Sequence, residues 1–301
     1  MTATIIDGTA VASSIRTRLS KEVEKLSGKN VYPGLAAVIV GDDPASISYV
    51  TAKAKACAEV GIMSETFALP SESTEADLDS LITRLNLDDR FQAILPQLPL
   101  PSHFDAHKVI DAISPEKDAD GLHPVNLGRL LRGEIDGPLP CTPHGVMQLL
   151  QYAGVDPVGK HVVIVGRSTL VGRPLSVLLS NKTRGANGTV TICHSATENL
   201  REYTYSADIL IVAVGQPLSV TAEMVQEGAV VIDVGVNRIE DSTRKRGWRL
   251  VGDVDFSGVS EVASYITKVP GGVGPMTIAM LLANTVDAAA RKAGLDAIFL
   301  G

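Results

Sequence analysis

The stretch His161–Ser176, HVVIVGRSTLVGRPLS, constrains the fold of this chain more than any other. Its apolar run Val162-Val163-Ile164-Val165 reads as a strand buried on both faces, as strands of parallel sheets are. A turn containing Gly166 and Gly172 follows. Pro174 then stands where a helix can begin, and Leu175, Val177, Leu178 and Leu179 give that helix an apolar side. Strand, glycine turn and helix start together bring backbone N–H groups and a helix dipole to a phosphate. The spacing departs from G-x-G-x-x-G, so an ordinary strand-to-helix turn competes with the phosphate reading. Arg167 and Ser168, placed where a phosphate would lie, favour the site.

The alternation continues downstream. Thr189–Cys193, Asp208–Val214 and Ala229–Val234 read as further short strands, which predicts a Rossmann-like half with a parallel sheet. Arg238–Arg249 is charged and reads as a solvated excursion or hairpin. Pro270–Pro275 is a glycine-rich loop leading into a last helix over about Met276–Ala293. Aromatic residues are only 4% of the chain, and a core of Val, Ile, Leu and Ala suits an α/β sheet flanked by Ala-rich helices.

The N-terminal half reads the same way. Thr4–Ile6 is a short strand before a surface helix, and Gly34–Val40 is a buried strand. Asp43 caps a helix with Pro44 at its first position, running from Ala45 to about Val60 and stopping at Gly61. Its apolar stripe is Ile47, Val50, Ala54, Cys57 and Ala58. Tyr49 and Lys53 lie one turn apart on a neighbouring face. They are either an exposed pair or, just beyond the carboxyl end of a strand, part of a site.

Met63–Leu69 is a strand, and Thr74–Leu87 is a helix capped by Thr74 with Asp77 three residues on. Phe91–Leu95 is another strand, running into PQLPLPSH, whose prolines fix an extended loop around Gln97. A short helix spans His107–Ile113. Asp118 and Asp120 beside Gly121 read as a turn. A connector helix runs from Pro143 or His144 to Gly154.

The 301 residues have room for two domains. A net charge of −7 with no basic block argues against a nucleic-acid or membrane-surface partner. No apolar run approaches the ~20 residues of a membrane span, and the N-terminus lacks the order of a signal peptide. The three cysteines, Cys57, Cys141 and Cys193, are widely spaced, which fits a reducing cytosol and no disulfide framework. His103 and His107 could share a helix face but have no third ligand nearby, so no metal site is expected.

Charge selects the cofactor. In an NAD site a carboxylate usually ends the second strand and accepts the ribose hydroxyls. Here that strand ends in Cys193-His194-Ser195, with no acid before Glu198. Arg167 offers a guanidinium fork and Ser195 a hydroxyl to a 2′-phosphate, so NADP is favoured over NAD.

Seven separated segments then agree with one family. They are YVTAK (Tyr49–Lys53), QLPLP (Gln97–Pro101), KDADG (Lys117–Gly121), PCTP (Pro140–Pro143), GRSTLVGRP, CHS (Cys193–Ser195) and VPGGVGPMT (Val269–Thr277). In order and nearly end to end, the chain resembles the bifunctional methylenetetrahydrofolate dehydrogenase/methenyltetrahydrofolate cyclohydrolases. Pro96 and Ala119 stand where that family more often has valine, and neither removes a functional group.

The resemblance implies an α/β fold of two domains with a cleft between them. Residues 1–145 plus 278–301 would form the N-terminal α/β folate domain, and residues 146–277 the Rossmann-like NADP domain. It implies oxidation of 5,10-methylenetetrahydrofolate with NADP, then hydrolysis of the methenyl product to 10-formyltetrahydrofolate.

Hydride transfer needs alignment and little acid–base help. Hydrolysis needs a proton carrier, for which Lys53 is the natural group once its pKa is lowered by burial or a cationic substrate. Tyr49 would stack on the folate ring or orient Lys53, Gln97 would hold the direction of Lys53, and Asp120 would accept two N–H bonds from the pterin. Pro270, Gly271 and Gly272 would lie against the folate. Gly166, Arg167, Ser168, Ser195, Val236 and Thr277 would lie along the dinucleotide. No step needs a covalent intermediate, so Cys141 is not expected to act as a nucleophile. The resemblance also implies a homodimer through the NADP domain. A different NADP dehydrogenase on a similar frame would leave QLPLP and VPGGVGPMT unexplained. A non-catalytic NADP-binding protein would leave Tyr49, Lys53, Gln97 and Asp120 unexplained together.

Overall fold

A computed structural model describes residues 2–244 and 246–297. In chain order, β1 (Thr4–Ile6) leads into α1 (Gly8–Ser27). Then come β2 (Gly34–Val40), α2 (Pro44–Val60), β3 (Met63–Leu69), α3 (Glu75–Leu87), β4 (Ala93–Pro96), α4 (Ala106–Asp111), α5 (Pro124–Leu131) and α6 (Cys141–Tyr152). The second half holds β5 (His161–Val165), α7 (Gly172–Ser180), β6 (Thr189–Cys193), α8 (Leu200–Tyr205), β7 (Ile209–Val212) and β8 (Val230–Asp233). It closes with β9 (Asn237–Glu240), β10 (Trp248–Val251), α9 (Phe256–Val259), β11 (Tyr265–Thr267) and α10 (Val273–Lys292).

The chain forms two compact units. One combines Met1–Ala12 with Thr142–Thr277, the other Ser13–Cys141 with Ile278–Gly301. The first twelve residues therefore belong with the Rossmann-like unit, where the sequence reading gave them to the folate domain. The cause is strand pairing: β1 lies parallel to β11, Thr4 opposite Tyr265 and Ile6 opposite Thr267. A three-residue strand has no signal strong enough to announce a partner some 260 residues away.

The first unit is a six-stranded parallel sheet in the order β1-β11-β8-β7-β5-β6. β5, the strand of the opening motif, is fully buried from Val162 to Val165. The chain leaves β5 for β6 on one side and then crosses back to β7 on the other, so the strand order reverses at β5/β7. Open α/β sheets bind ligands at this point, outside the carboxyl ends of the strands. The charged excursion is a hairpin, β9 paired antiparallel with β10.

The second unit has a three-stranded parallel sheet, β3-β2-β4, with every residue of β2 buried. Phe91, Leu78, Ile82 and Leu85 fill the core on one face. α3 begins with a capping box in which Thr74 and Asp77 bond each other's backbone N–H groups. α1 turns Val11, Ile15, Leu19, Val23 and Leu26 inward, a three-and-four stripe that makes it half a core helix rather than a surface one. α10 starts at Val273, three residues earlier than expected. By length and composition α10 could cross a membrane, against the sequence reading, but 78% of its most apolar window is buried inside the protein. It is a core helix whose Asn284, Thr285 and Asp287 are buried as well.

Candidate active site

The first group of site residues lies in the three-stranded unit. β2 ends at Val40, and α2 starts four residues on, capped by Asp43, whose Oδ2 accepts the Ser46 N–H at 2.8 Å. Lys53 is not on a face beside the stripe; it is on the stripe. Ser46, Val50, Lys53, Cys57 and Val60 are buried at four- and three-residue steps, with Lys53 only 9% exposed. Ile47 and Ala58, expected inside, are exposed, and Ala54 is half-buried. The helix is rotated from the simple apolar pattern because an acceptor waits inside for Lys53. Burying an ammonium is costly unless it is hydrogen-bonded. Tyr49, one turn earlier, is exposed.

That acceptor is Gln97. Lys53 Nζ donates to Gln97 Oε1 at 3.0 Å. Gln97 is itself buried, and its Nε2 donates to Leu98 O at 2.6 Å, so the carbonyl end of the amide is the one turned to Lys53. Its backbone N–H bonds Val38 O at 2.8 Å, which extends β4 by one residue. Pro96 does not disturb this: β4 is an edge strand, where a missing N–H is tolerated.

Of the two aspartates in KDADG, Asp118 is the turn former. Its carboxylate accepts the N–H of Gly121 at 3.0 Å and of His123 at 2.7 Å, and Asn126 Nδ2 at 2.9 Å. Asp120 is half-buried, and its carboxyl is hydrogen-bonded by the Cys141 thiol. Burial pushes its carboxyl above the usual carboxylate range, the charge of Lys53 draws it back, and Asp118 raises it again. Lys53 and Asp120 are thus close enough to feel each other's charge. Gly121 lies at a positive φ of 72°, and a Cβ there would overlap the Leu139 carbonyl.

Asn284 on α10 ties this loop down. Its Nδ2 donates to Ala119 O at 3.0 Å and Leu139 O at 2.9 Å. Cys141 is buried and its thiol is pushed well up, chiefly by desolvation, so it is an inert packing group. Sequence reasoning missed Asn284, though a polar residue inside MLLANTVDAAA was a visible anomaly.

The second group lies along the carboxyl edge of the six-stranded sheet. Gly166 has φ of 132°, and a Cβ there would overlap Ala213 O, so the turn after β5 runs against the segment after β7 at the switch point. A Cβ on Gly172 would overlap Gly166 O. This is a cradle that only glycines permit. α7 begins at Gly172, before Pro174, and the Ser168 hydroxyl accepts the Val171 N–H at 3.1 Å.

Val165 and Cys193 are register partners on β5 and β6, so Arg167 and Ser195 stand two residues past paired positions on adjacent strands. Both are exposed, and Arg167 enters no ion pair among the described residues. The residues present therefore suit a phosphorylated dinucleotide. Val236 is exposed beyond β8, and Thr277 Oγ1 lies 2.9 Å from Thr142 Oγ1. Pro270, Gly271 and Gly272 follow β11 in this same unit. Gly271 takes φ of 105°, and its carbonyl accepts the Thr9 N–H at 3.1 Å. His103 and His107 do not share a helix, since α4 begins at Ala106, and no cluster of three metal-ligating side chains occurs among the described residues.

The profile of the tetrahydrofolate dehydrogenase/cyclohydrolase catalytic domain matches residues 6–120. The profile of the NAD(P)-binding domain of the same enzymes matches residues 140–293. The chain is 54% identical to the bifunctional protein FolD of Brevibacillus brevis, over 97% of this chain and 99% of that one. It is 54% identical to the FolD of Bacillus anthracis, over 97% and 98%. Among solved structures, the bifunctional FolD dehydrogenase/cyclohydrolase of Campylobacter jejuni aligns with a TM-score of 0.91 and 46% identity, covering 96% of this chain and 99% of that one. The enzyme of Trypanosoma brucei, solved with NADP and an inhibitor, aligns with a TM-score of 0.91 and 41% identity, covering 97% and 99%.

Proposed function

Because the chain belongs to the tetrahydrofolate dehydrogenase/cyclohydrolase family, we propose a division of labour among its residues for the two reactions of that family. The protein oxidises 5,10-methylenetetrahydrofolate with NADP and hydrolyses the methenyl product to 10-formyltetrahydrofolate. The observation that carries the residue assignment is the buried Lys53 held by Gln97, with Asp120 within reach of its charge.

Asp120 accepts the amino and ring N–H groups of the pterin, which point the same way, and so fixes the substrate in the plane. Tyr49, exposed one turn from Lys53, covers the ring. Lys53 Nζ takes a proton from the attacking water and returns one to the departing ring nitrogen. It can donate to Gln97 in either charge state, so its direction is kept while its proton count changes. Bound NADP supplies the acceptor for the hydride. Gly166 and Ser168 cradle its phosphates, Arg167 and Ser195 grip the 2′-phosphate, and Val236 and Thr277 line its remaining length. Pro270, Gly271 and Gly272 lie against the folate. Residues 13–141 with the last helix then serve as the folate domain.

The decisive variant is Lys53→Met. It is expected to abolish hydrolysis of methenyltetrahydrofolate while retaining measurable hydride transfer; hydrolysis at the parent rate would remove Lys53 from its role. We further propose that the enzyme is a cytoplasmic homodimer joined through its NADP domain, and that its formylated product feeds purine synthesis. Sedimentation at micromolar concentration tests the dimer, fractionation of the source cells tests the compartment, and purine dependence of a deletion strain tests the fate of the product.

A further inference from the structure

Two buried carboxylates in the six-stranded unit have no part in the chemistry above. Asp233 ends β8 and Asp253 follows β10, and they are 3% and 0% exposed. Each accepts hydrogen bonds through both oxygens from the carboxyl-edge segments. Asp253 Oδ2 accepts the N–H groups of Val214 at 2.7 Å and Gly215 at 2.9 Å, and its Oδ1 accepts Asn237 Nδ2 at 2.8 Å. Asp233 Oδ1 accepts the N–H groups of Gly235 and Asp253 at 3.0 Å each, and its Oδ2 accepts that of Val254 at 3.0 Å. Glycines make these approaches possible. A Cβ on Gly235 would overlap the Asp253 carboxyl, and one on Gly252 would overlap that of Asp233.

The loops so tied are the two nearest the switch point on the side away from Arg167. Val214 and Gly215 follow β7 directly, next to Ala213, whose carbonyl abuts Gly166. Val236 stands exposed between Gly235, bonded to Asp233, and Asn237, bonded to Asp253. Because the N–H groups of Val214 and Gly215 turn inward to a carboxylate, they are not offered to a phosphate. That edge suits a flat, positively charged ring rather than an anion, whereas Arg167 and Ser195 at the β5/β6 end suit the anion.

We propose that Asp253, braced by Asp233, is a positioning residue of the dehydrogenase: it sets the loops after β7 and β8 on which the nicotinamide half of NADP rests. This rests on the cofactor lying along the carboxyl edge of this sheet. Asp253 touches neither substrate nor reacting atoms. It acts by fixing the exposed face of two loops, which matters because displacing a hydride acceptor by about 1 Å can cost on the order of 100-fold in rate.

The test compares Asp253→Asn, Asn237→Ala and Arg167→Ala in the full chain. Asp253→Asn keeps one oxygen for the Val214 and Gly215 N–H groups, removes the charge that strengthens those bonds, and turns its amide N–H towards that of Asn237. It should lower hydride transfer at least 30-fold and raise KM for NADP, with hydrolysis of added methenyltetrahydrofolate within twofold of the parent. Its preference for NADP over NAD should persist, because the adenosine end is untouched; general disruption of the unit would erase that preference. Asn237→Ala removes one bond from a half-buried residue at the start of β9 and so tests the inference even if Asp253→Asn does not fold. It should raise KM for NADP about threefold, again sparing hydrolysis. Parent KM and kcat for hydride transfer in either folded variant would overturn the inference. An unchanged KM for NADP in Arg167→Ala would instead refute the placement of the cofactor.

Discussion

Replacing Asn284 by leucine probes how the last helix holds the catalytic loop. The side chain is 4% exposed. Its Nδ2 serves Ala119 O and Leu139 O, and its Oδ1 accepts the Leu139 N–H at 3.4 Å. Leucine fills nearly the same volume, so the cavity cost is small and the loss is one of unsatisfied polar groups. Ala119 O keeps the Cys141 thiol as a donor at 3.4 Å, whereas the Leu139 carbonyl and N–H lose their Asn284 partner. At about 1–3 kcal/mol for each buried orphan, the variant should lose about 3 kcal/mol. For a unit of this size that lowers the melting temperature by about 6–12 °C. Ala119 precedes Asp120 in sequence, and the Cys141 N–H donates to Asp120 O at 3.1 Å. KM for the folate should therefore rise severalfold in both reactions together. Differential scanning calorimetry and the two assays read these effects. A loss under about 1 kcal/mol, or a change confined to one reaction, would refute the reasoning.

Four other outcomes follow from the same geometry. Arg167→Ala should weaken NADP at least tenfold more than NAD, read from the two KM values; equal losses would put the 2′-phosphate elsewhere. Gly121→Ala forces a Cβ into the Leu139 carbonyl at a positive φ, so both activities should fall more than tenfold, and a parent-like variant would show that the Asp120 loop is not held as described. Burial raises all three thiols, Cys57 to about 12, so a chromogenic disulfide at pH 8 should find no fast-reacting cysteine in the native protein and three after unfolding; one that reacts in seconds would contradict this. Burial also raises Asp233 from 3.8 to about 6. The folded chain then binds this proton more tightly than the unfolded one, so the contribution of Asp233 to stability falls as pH rises from about 4 to 6, by about 3 kcal/mol, and is level above. Denaturant melts should show that decline in the parent and its absence in Asp233→Asn; parallel curves would exclude it.

The sheet of the cofactor unit was legible because its central strands carry continuous apolar runs, as at Val162–Val165 and Ile209–Val212. The strand Thr4–Ile6 was legible too, but its pairing with β11 was not, since three residues cannot specify a partner about 260 positions away. Helix ends carrying their own chemistry, Asp43 with Gly61 and Thr74 with Asp77, fell where the sequence places them. The inward face of α2 did not, because hydrophobicity ranks Ile47 above Lys53 while the Gln97 carbonyl reverses the order. A side chain whose burial depends on a partner 44 residues away is invisible to a pattern read one helix at a time. The same holds for Asp233, Asp253 and Asn284, whose partners are backbone groups of other elements.

That blindness is informative in one direction. Three polar residues that break apolar runs in this chain are bonded across elements: Lys53 to the end of β4, Asn284 to the loops around Asp120, Asp233 to the loops after β8 and β10. A buried polar group without a partner costs about 1–3 kcal/mol, so one that persists inside a core implies a partner even where the sequence cannot say which. The break in the pattern marks where two segments are fixed to each other. In this enzyme those fixed segments carry the groups assigned to folate, to the proton and to the cofactor. Lys53 and Asn284 act within the unit that carries the acid–base set, while Asp233 and Asp253 act within the unit that carries the dinucleotide edge. Substitutions at Asp253 should then separate hydride transfer from hydrolysis in one direction and Lys53→Met in the other, because neither set of bonds crosses from one unit's loops to the other's.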